Sequence, residues 1–461
     1  MNDCDGASGR WSSGFLATAP FAILVVGLAI RLLLAPTLSY PFDQTYWSID
    51  IANAEAGYGL YGLPGFYYTP VWGYLLGFDG LVMNAFTDLG EMGYRFVDLV
   101  GIESLTRPYY TATVSTPEFS LLVKAAMILA DVAVGYMVYR MTLSSTGSKK
   151  DATASFAIWF LCPVVVYMSG IQAQFDCISA MLALLSVLLL EKDHAFLAGM
   201  TFSIAALTKL FPAALLFVLA IYIVRKHPGQ YGTRRLAFAV AGALAGFLLM
   251  YAPQIADGTL MESLSFMISR ASEDMSVTRT LKMVLMTCIS LLIVAAAAVR
   301  FWRLPAGDAP RELRRFALVT LAGAAFMSSG PQYCIVCMPL LAWYAVSEDR
   351  ALVPWAVMLG VFATLSAFFN NGLSLLAMGS EYLGFIEPAS LIDLMRSMDT
   401  PVLLSLTPRD VPVVVGDLGV MACLLLIVAF VWIGPKAPSE TGKVQRIIAK
   451  AKTFGREADG A

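Results

Sequence analysis

Apolar runs recur from one end of this chain to the other, and they leave few folds open. They fall near 15–35, 118–140, 152–169, 175–191, 195–208, 210–224, 236–254, 282–300, 316–329, 331–347, 352–369 and 412–434. Most are roughly 17 to 22 residues long, enough for a helix to cross a hydrocarbon core of about 30 Å. Composition agrees. Of 461 residues 58% are hydrophobic and 14% charged, with a mean hydropathy of +0.71. A soluble domain of this length has no interior able to hide so much apolar surface, so lipid must solvate part of it. The predicted fold class is therefore all-α: a polytopic membrane protein of about 12 transmembrane helices, with interfacial helices in a long first outer loop. The first run is too long, and lacks the small-residue cleavage site, to be a removed signal peptide.

Basic residues orient this arrangement. Arg140, Lys149, Lys150, Lys192, Arg225, Lys226, Arg234, Arg235, Arg300, Arg303, Arg311, Arg314, Arg315 and Arg350 fall between runs on one side. The tail "KVQRIIAKAKTFGR" adds more. The loops 36–117, 255–281 and 370–411 on the other side hold few: Arg95, Arg107, Arg270, Arg279, Arg396 and Arg409. The positive-inside rule makes the rich side cytoplasmic and turns the three long loops outward. Twelve crossings put both termini in the cytoplasm. The domain reading is one transmembrane domain over 1–435, followed by a basic cytoplasmic tail over 436–461. Long loops in a compact protein are usually functional, so a site is expected on the outer face. Within loop 36–117, "YYTPVWGYLLGF" suits an amphipathic helix lying in the interface better than a span.

Several polar residues sit where apolar neighbours make them costly. Asp43 stands a few residues beyond the first run, just before a helical pattern from Tyr46 to Ala56. It reads either as an N-cap or as a general base at the water–lipid boundary, and the two roles are compatible. Asp50, two helical turns on, can share its face. Gln172, Gln174 and Asp176 lie at an outer turn between two runs and must be paired or wet. Lys209 interrupts "ALTKLFPA", where two short helices meet: it either snorkels or meets an anion such as phosphate. Gln332 and Tyr333 form a polar pair at an outer helix end. Arg270 and Arg279 flank "ASEDMSVT" in an outward loop and are ordinary surface charges or phosphate ligands. Lys124 and Asp131, seven apart in the second run, most simply pair with each other.

Other chemistries are excluded or weak. The seven cysteines are an odd count lying mostly in apolar runs, so they read as packing residues rather than a disulfide framework. Cys334 and Cys337 form a CxxC, but the chain's two histidines, His194 and His227, fall in cytoplasmic connections and complete no zinc set. No GxxxxGK[ST] or dinucleotide fingerprint is present, which argues against an ATP-driven pump or a nucleotide-fuelled enzyme.

Five elements, in order, carry a resemblance to a known family. They are "FDQTYWSIDIANAEAGYGLY" with "FYYTPVWGYLL"; "LVKAAMILADVAVGYMVYR"; "CPVVVYMSGIQAQFDCISAMLALLSVLLL"; "HAFLAGMTFSIAALTKLFPA"; and "GPQYCIVCMPLL". Together they resemble the GT-C glycosyltransferases, multispanning enzymes that take sugars from polyprenyl-phosphate donors on the outer or lumenal face. Thr69–Pro70 replaces a Pro-Pro of the family pattern, Ala173 stands where glycine is usual, and Gly330–Pro331–Gln332 stands where some eukaryotic relatives have His-Glu. The resemblance implies a hexosyltransferase, with mannose the common sugar, acting on an extracytoplasmic glycan or lipid-linked acceptor with inversion at the anomeric carbon.

Carried over by residue, Asp43 matches the outer-loop carboxylate used as general base or electrostatic aid. Lys209, Gln332 and Tyr333 match positions near the donor, and Arg270 and Arg279 are candidates to help bind its phosphate. Asp50, Tyr68, Gln174 and Asp176 would hold the acceptor or shape the site. No cofactor is implied. A divalent metal is unsupported, because no second acid stands beside Asp43. The implied partners are a polyprenyl-phosphate sugar donor, a glycan or glycolipid acceptor and the bilayer, with no nucleic acid. The implied location is a bacterial plasma membrane, multi-pass, with the active site on the extracytoplasmic face. The competing reading is a polytopic transporter or lipid flippase. It would show two repeated halves with matched broken helices, whereas one break is evident, at Lys209.

Overall fold

Proline opens helix after helix in this chain. Pro41, Pro117, Pro163, Pro310, Pro339, Pro354 and Pro388 all stand at the first or second position of a helix. There the ring's fixed φ is already helical, and the missing N–H would have had no partner. The computed structural model describes residues 19–59, 61, 66, 68–86, 94–96, 113–264, 277–305, 307–327, 330–402 and 406–434. Arg270 and the tail 436–461 lie outside the described residues.

Helices occupy all twelve apolar runs. In chain order the described helices are α1 (Ala19–Leu34), α2 (Pro41–Glu55), α3 (Pro70–Phe86), α4 (Pro117–Thr146), α5 (Lys149–Phe160), α6 (Pro163–Gln172, ending in a π turn) and α7 (Asp176–Glu191). They continue as α8 (Ala195–Thr208), α9 (Leu215–Lys226), α10 (Gln230–Ala256), α11 (Val277–Arg303), α12 (Ala309–Ala324) and α13 (Met338–Ser347). The last are α14 (Val353–Asn370), α15 (Ala377–Leu383), α16 (Pro388–Asp399) and α17 (Asp410–Ile433). A 3₁₀ turn, Phe211–Ala214, leads into α9, and another, Pro331–Val336, precedes α13.

Among the described residues five helices are long and apolar enough to cross a membrane: α4, α10, α11, α14 with the turn before it, and α17. There are six if the pair α5 and α6, bent by 48°, counts as one broken span. The other helices in the apolar runs have 10 to 16 residues. The protein is an all-α polytopic membrane protein. Its β structure among the described residues is a small ribbon, β1 (Tyr94–Phe96) against β2 (Thr113–Ser115), antiparallel with Tyr94 opposite Ser115.

The helices pack through small residues, as expected where lipid removes the hydrophobic incentive to associate. Gly242 and Gly246 of α10 face α8, and a Cβ on Gly242 would stand 1.9 Å from the Phe196 carbonyl oxygen. On α8, Gly199 is held equally close to the backbone of Ala239. Gly416 and Gly419 of α17 likewise receive Ser366 and Phe362 of α14. These contacts leave no room for any side chain.

The long loops are partly helical. In loop 36–117, α2 and α3 bury one aromatic cluster formed by Trp47, Phe66, Trp72 and Phe119 with Phe175 of the α6–α7 turn. Loop 370–411 contains α15 and α16. The latter is amphipathic, burying Leu391, Ile392 and Met395 while its other residues are exposed or half-buried. Arg279, expected in an outward loop, lies instead in the first turn of α11, and its side chain is outside the described residues. The apolar run beginning at 282 extends helically backward through a polar turn.

Candidate functional site

Ala173 is the backbone hinge on which the site turns. It takes a left-handed conformation, φ 62° and ψ 40°, after the π turn Met168–Gln172. Alanine pays about 1–2 kcal/mol for that region, which explains why glycine suits the position. The turn points Gln174 across to helix α2. Its Nε2 donates to Asp43 Oδ2 at 2.6 Å. Its Oε1 faces Lys209 Nζ at 3.5 Å. Asp176, fully buried at the start of α7, holds the same ammonium in an ion pair of 3.5 Å. Asp43, Gln174, Asp176 and Lys209, from three separate stretches of chain, thus form one connected polar line.

An aromatic shelf supports that line. The Lys209 ammonium lies 4.4 Å from the Phe175 ring centroid and 5.8 Å from that of Tyr68. Trp72 stacks on Phe175 at 4.5 Å, Tyr68 meets it edge-on at 5.2 Å, and Trp47 meets Trp72 edge-on at 5.1 Å. Thr69 anchors the loop to the end of α8 through the Leu207 carbonyl. Lysine at the end of α8 has 14% of its side chain exposed. It is held by a buried carboxylate, an amide oxygen and a ring face, the kind of fixed cation that suits an anion arriving from one side.

Several expectations change here. Asp43 is not an N-cap: α2 begins at Pro41 with Tyr40 as the capping position, so Asp43 sits in the first turn and is gripped by Gln174 instead. Asp50 is buried elsewhere on α2, and burial pushes its carboxyl up to about 7. Asp79 on α3 is likewise pushed up to about 7 by burial. Lys124 and Asp131 do not pair. Seven residues along a helix is about 10.5 Å of rise, too far for direct contact. Asp131 instead takes Arg31 Nε at 2.9 Å, and Lys124 Nζ donates to the carbonyls of Ala35 and Leu38 and to Ser120 Oγ.

Arg31 escaped the sequence reading. Both it and Asp131 are fully buried, with Ser169 Oγ accepting at 3.2 Å and the guanidinium over the Phe160 ring at 4.3 Å. The signal was an arginine inside an apolar run, near enough to its end to pass as snorkelling. This network pins α1 to α4 and to the turn that carries Gln174.

Gln332 and Tyr333 occupy the 3₁₀ turn before α13. The Tyr333 ring packs on Phe211 at 4.1 Å, two residues from Lys209. Among the described residues neither side chain hydrogen-bonds to Lys209. The thiols of Cys334 and Cys337 are buried and donate to the Pro331 and Cys334 carbonyls, as packing residues do. No group of three His, Cys, Asp or Glu close enough to hold a metal occurs among the described residues.

Comparison with known proteins adds a family. No curated protein matches the chain. Residues 116–330 match the model of glycosyltransferase family 87. That region contains Lys124, Asp131, Gln174, Asp176 and Lys209; Asp43 precedes it, and Gln332 and Tyr333 follow directly. Over those residues the chain is similar to glycosyltransferase family 87, a GT-C-type family of membrane glycosyltransferases.

Proposed function

We propose that this chain moves a hexose, mannose by the family's habit, from a polyprenyl-phosphate donor to a glycan or lipid-linked acceptor on the extracytoplasmic face of a bacterial plasma membrane. The observation that carries the reading is the line Asp43–Gln174–Lys209: a partly exposed carboxylate tied through one amide to a fixed cation. Asp43 takes the proton of the acceptor hydroxyl as its oxygen attacks the anomeric carbon. The bond from that carbon to the phosphate oxygen breaks, and its electron pair leaves on the polyprenyl phosphate. Lys209 meets the growing negative charge there. A single displacement of this kind inverts the anomeric configuration.

Gln174 fixes the spacing between base and cation. The aromatic shelf of Tyr68, Trp72 and Phe175 offers apolar ring faces beside the cation. Donor lipid suits the outer side, where cytoplasmic nucleotide sugars are absent. Arg270 and Arg279 are further candidates for the donor's phosphate. No cofactor takes part in this scheme.

The test is transfer from labelled polyprenyl-phosphate mannose in nanodiscs, wild type against Asp43→Asn. Loss of a general base should lower the rate by about 10²–10⁴-fold while the variant keeps its melting temperature. Equal rates would remove Asp43 from the chemistry. No transfer by wild type, with donor lipid bound, would move the proposal to another sugar or acceptor; no binding at all would end the polyprenyl-phosphate assignment.

A further inference from the structure

The end of α8 opposite Lys209 opens on a cavity of about 380 Å³, of the size that holds small ligands. It lies some 20 Å from Lys209 along the helix axis, so it is a separate place from the site above. Tyr231, Arg234 and Arg235 form one wall, from the first turns of α10. Phe238, a turn further along α10, adjoins them, and Phe196 and Leu197 of α8 complete the lining.

The charges here are unevenly spent. Asp193, also on the cavity, is engaged by Lys226 at 2.9 Å and His227 at 2.8 Å. Arg235 is fixed in place, donating from Nε and Nη2 to Tyr231 Oη at 3.0 and 2.5 Å and from Nη1 to the Asp193 carbonyl. Arg234 lies over the Phe238 ring at 5.8 Å, and among the described residues it makes no hydrogen bond or ion pair. Glu191, the nearest other acid in sequence, is taken bidentately by Arg314 at 2.6 and 2.7 Å. The cavity is therefore left with an excess of guanidinium charge, one fork of it uncommitted.

The apolar wall continues out of the cavity. Phe196, Leu197 and Phe238 are 41%, 43% and 47% exposed, and three turns along α10 the face of Phe238 continues with Leu249, at 59%. In a membrane protein that strip faces hydrocarbon. A free anion would use the arginines and ignore the strip; an anionic lipid uses both.

We propose that this cavity binds the phosphate head of an anionic glycerophospholipid, with Arg234 and Arg235 on the phosphate and an acyl chain lying along Phe238 and Leu249. Positive charge near a membrane surface attracts anionic lipid, and a guanidinium fork gives phosphate two parallel hydrogen bonds. By the basic-residue bias this end of α8 faces the cytoplasmic leaflet, so the lipid would be a structural neighbour rather than the sugar donor.

The full chain, purified in neutral detergent and read by native mass spectrometry, tests this with dioleoylphosphatidylglycerol and dioleoylphosphatidylcholine as probes. Wild type should retain one phosphatidylglycerol in preference to phosphatidylcholine, and Arg234→Gln should weaken that retention about five-fold. Arg140→Gln, an exposed arginine outside the cavity, should leave it unchanged. Sugar transfer should be the same in wild type and Arg234→Gln, which shows the variant is folded and separates this site from the catalytic one. Equal phosphatidylglycerol retention by wild type and Arg234→Gln would overturn the proposal. So would displacement of the lipid by millimolar inorganic phosphate, which would mark the cavity as a site for the free ion.

Discussion

At one end of α8 the Lys209 ammonium rests on a ring face and a carboxylate that has no exposure at all; at the other, Lys226 and His227 hold an Asp193 that is 41% exposed, with Arg235 on its carbonyl. Both ends carry lysine–aspartate pairs, and the two pairs differ in what surrounds them. At the Lys209 end the carboxylate is wholly buried and depends on the ammonium, since a lone buried charge is costly. At the basic end, water and neighbouring cations share the work, and any one contact is replaceable. The proposed sugar transfer calls for the first arrangement where charge develops during reaction, and the proposed lipid site calls only for the second.

Breaking the buried pair should have the largest effect. Lys209→Met strands the Asp176 carboxylate and should cost about 3–5 kcal/mol, read as a clear drop in melting temperature in detergent. Adding Asp176→Asn removes the stranded charge, so the double variant should regain most of that stability while remaining inactive in sugar transfer. A Lys209→Met protein as stable as wild type would show that the Lys209–Asp176 pair is no more demanding than the Lys226–Asp193 one.

The hinge beside that pair sharpens the contrast. Valine at 173 places a β-branched side chain at positive φ in a fully buried spot, and Ala173→Val should cost about 2 kcal/mol or more. Ala173→Gly should stay within about 1 kcal/mol of wild type, because relief of strain is offset by the lost methyl and the looser unfolded chain. If valine is accepted without loss, the turn that aims Gln174 is not fixed by its backbone.

The smallest effect belongs to the basic end. Lys226→Gln removes an ion pair whose aspartate keeps its His227 contact, and should change stability by less than about 1 kcal/mol, less still at high salt. A loss as large as that of Lys209→Met would abolish the distinction between the two ends.

Much of this was legible in the chain and some was not. Among the described residues each of the twelve apolar runs holds a helix, and α8 ends at Thr208 with Lys209 in the break, as its sequence implied. The caps of α4 and α5, where Thr116 and Ser148 accept from the Phe119 and Asp151 amides, were not among the sequence expectations. Asp43, Gln174, Asp176 and Lys209 stood out as polar residues in costly places, and the fold gathers all four. Partner choice was less visible. Asp131 belongs to Arg31, a hundred residues away, rather than to Lys124 on its own helix. Asp50 shares a helix with Asp43 but not its site, because two helical turns carry it into the packing between α2 and its neighbours.

The sequence by itself determined where helices lie and which residues would be expensive to leave unpaired, because both follow from how each short stretch partitions between water and lipid. Only the tertiary structure decided which of those residues meet. That choice depends on helices brought together by glycine contacts such as Gly199 with Ala239, and on a left-handed turn at Ala173 that sends Gln174 to Asp43. Hydropathy is a property of a residue and its chain neighbours, whereas an ion pair belongs to two helices that sequence order does not place side by side.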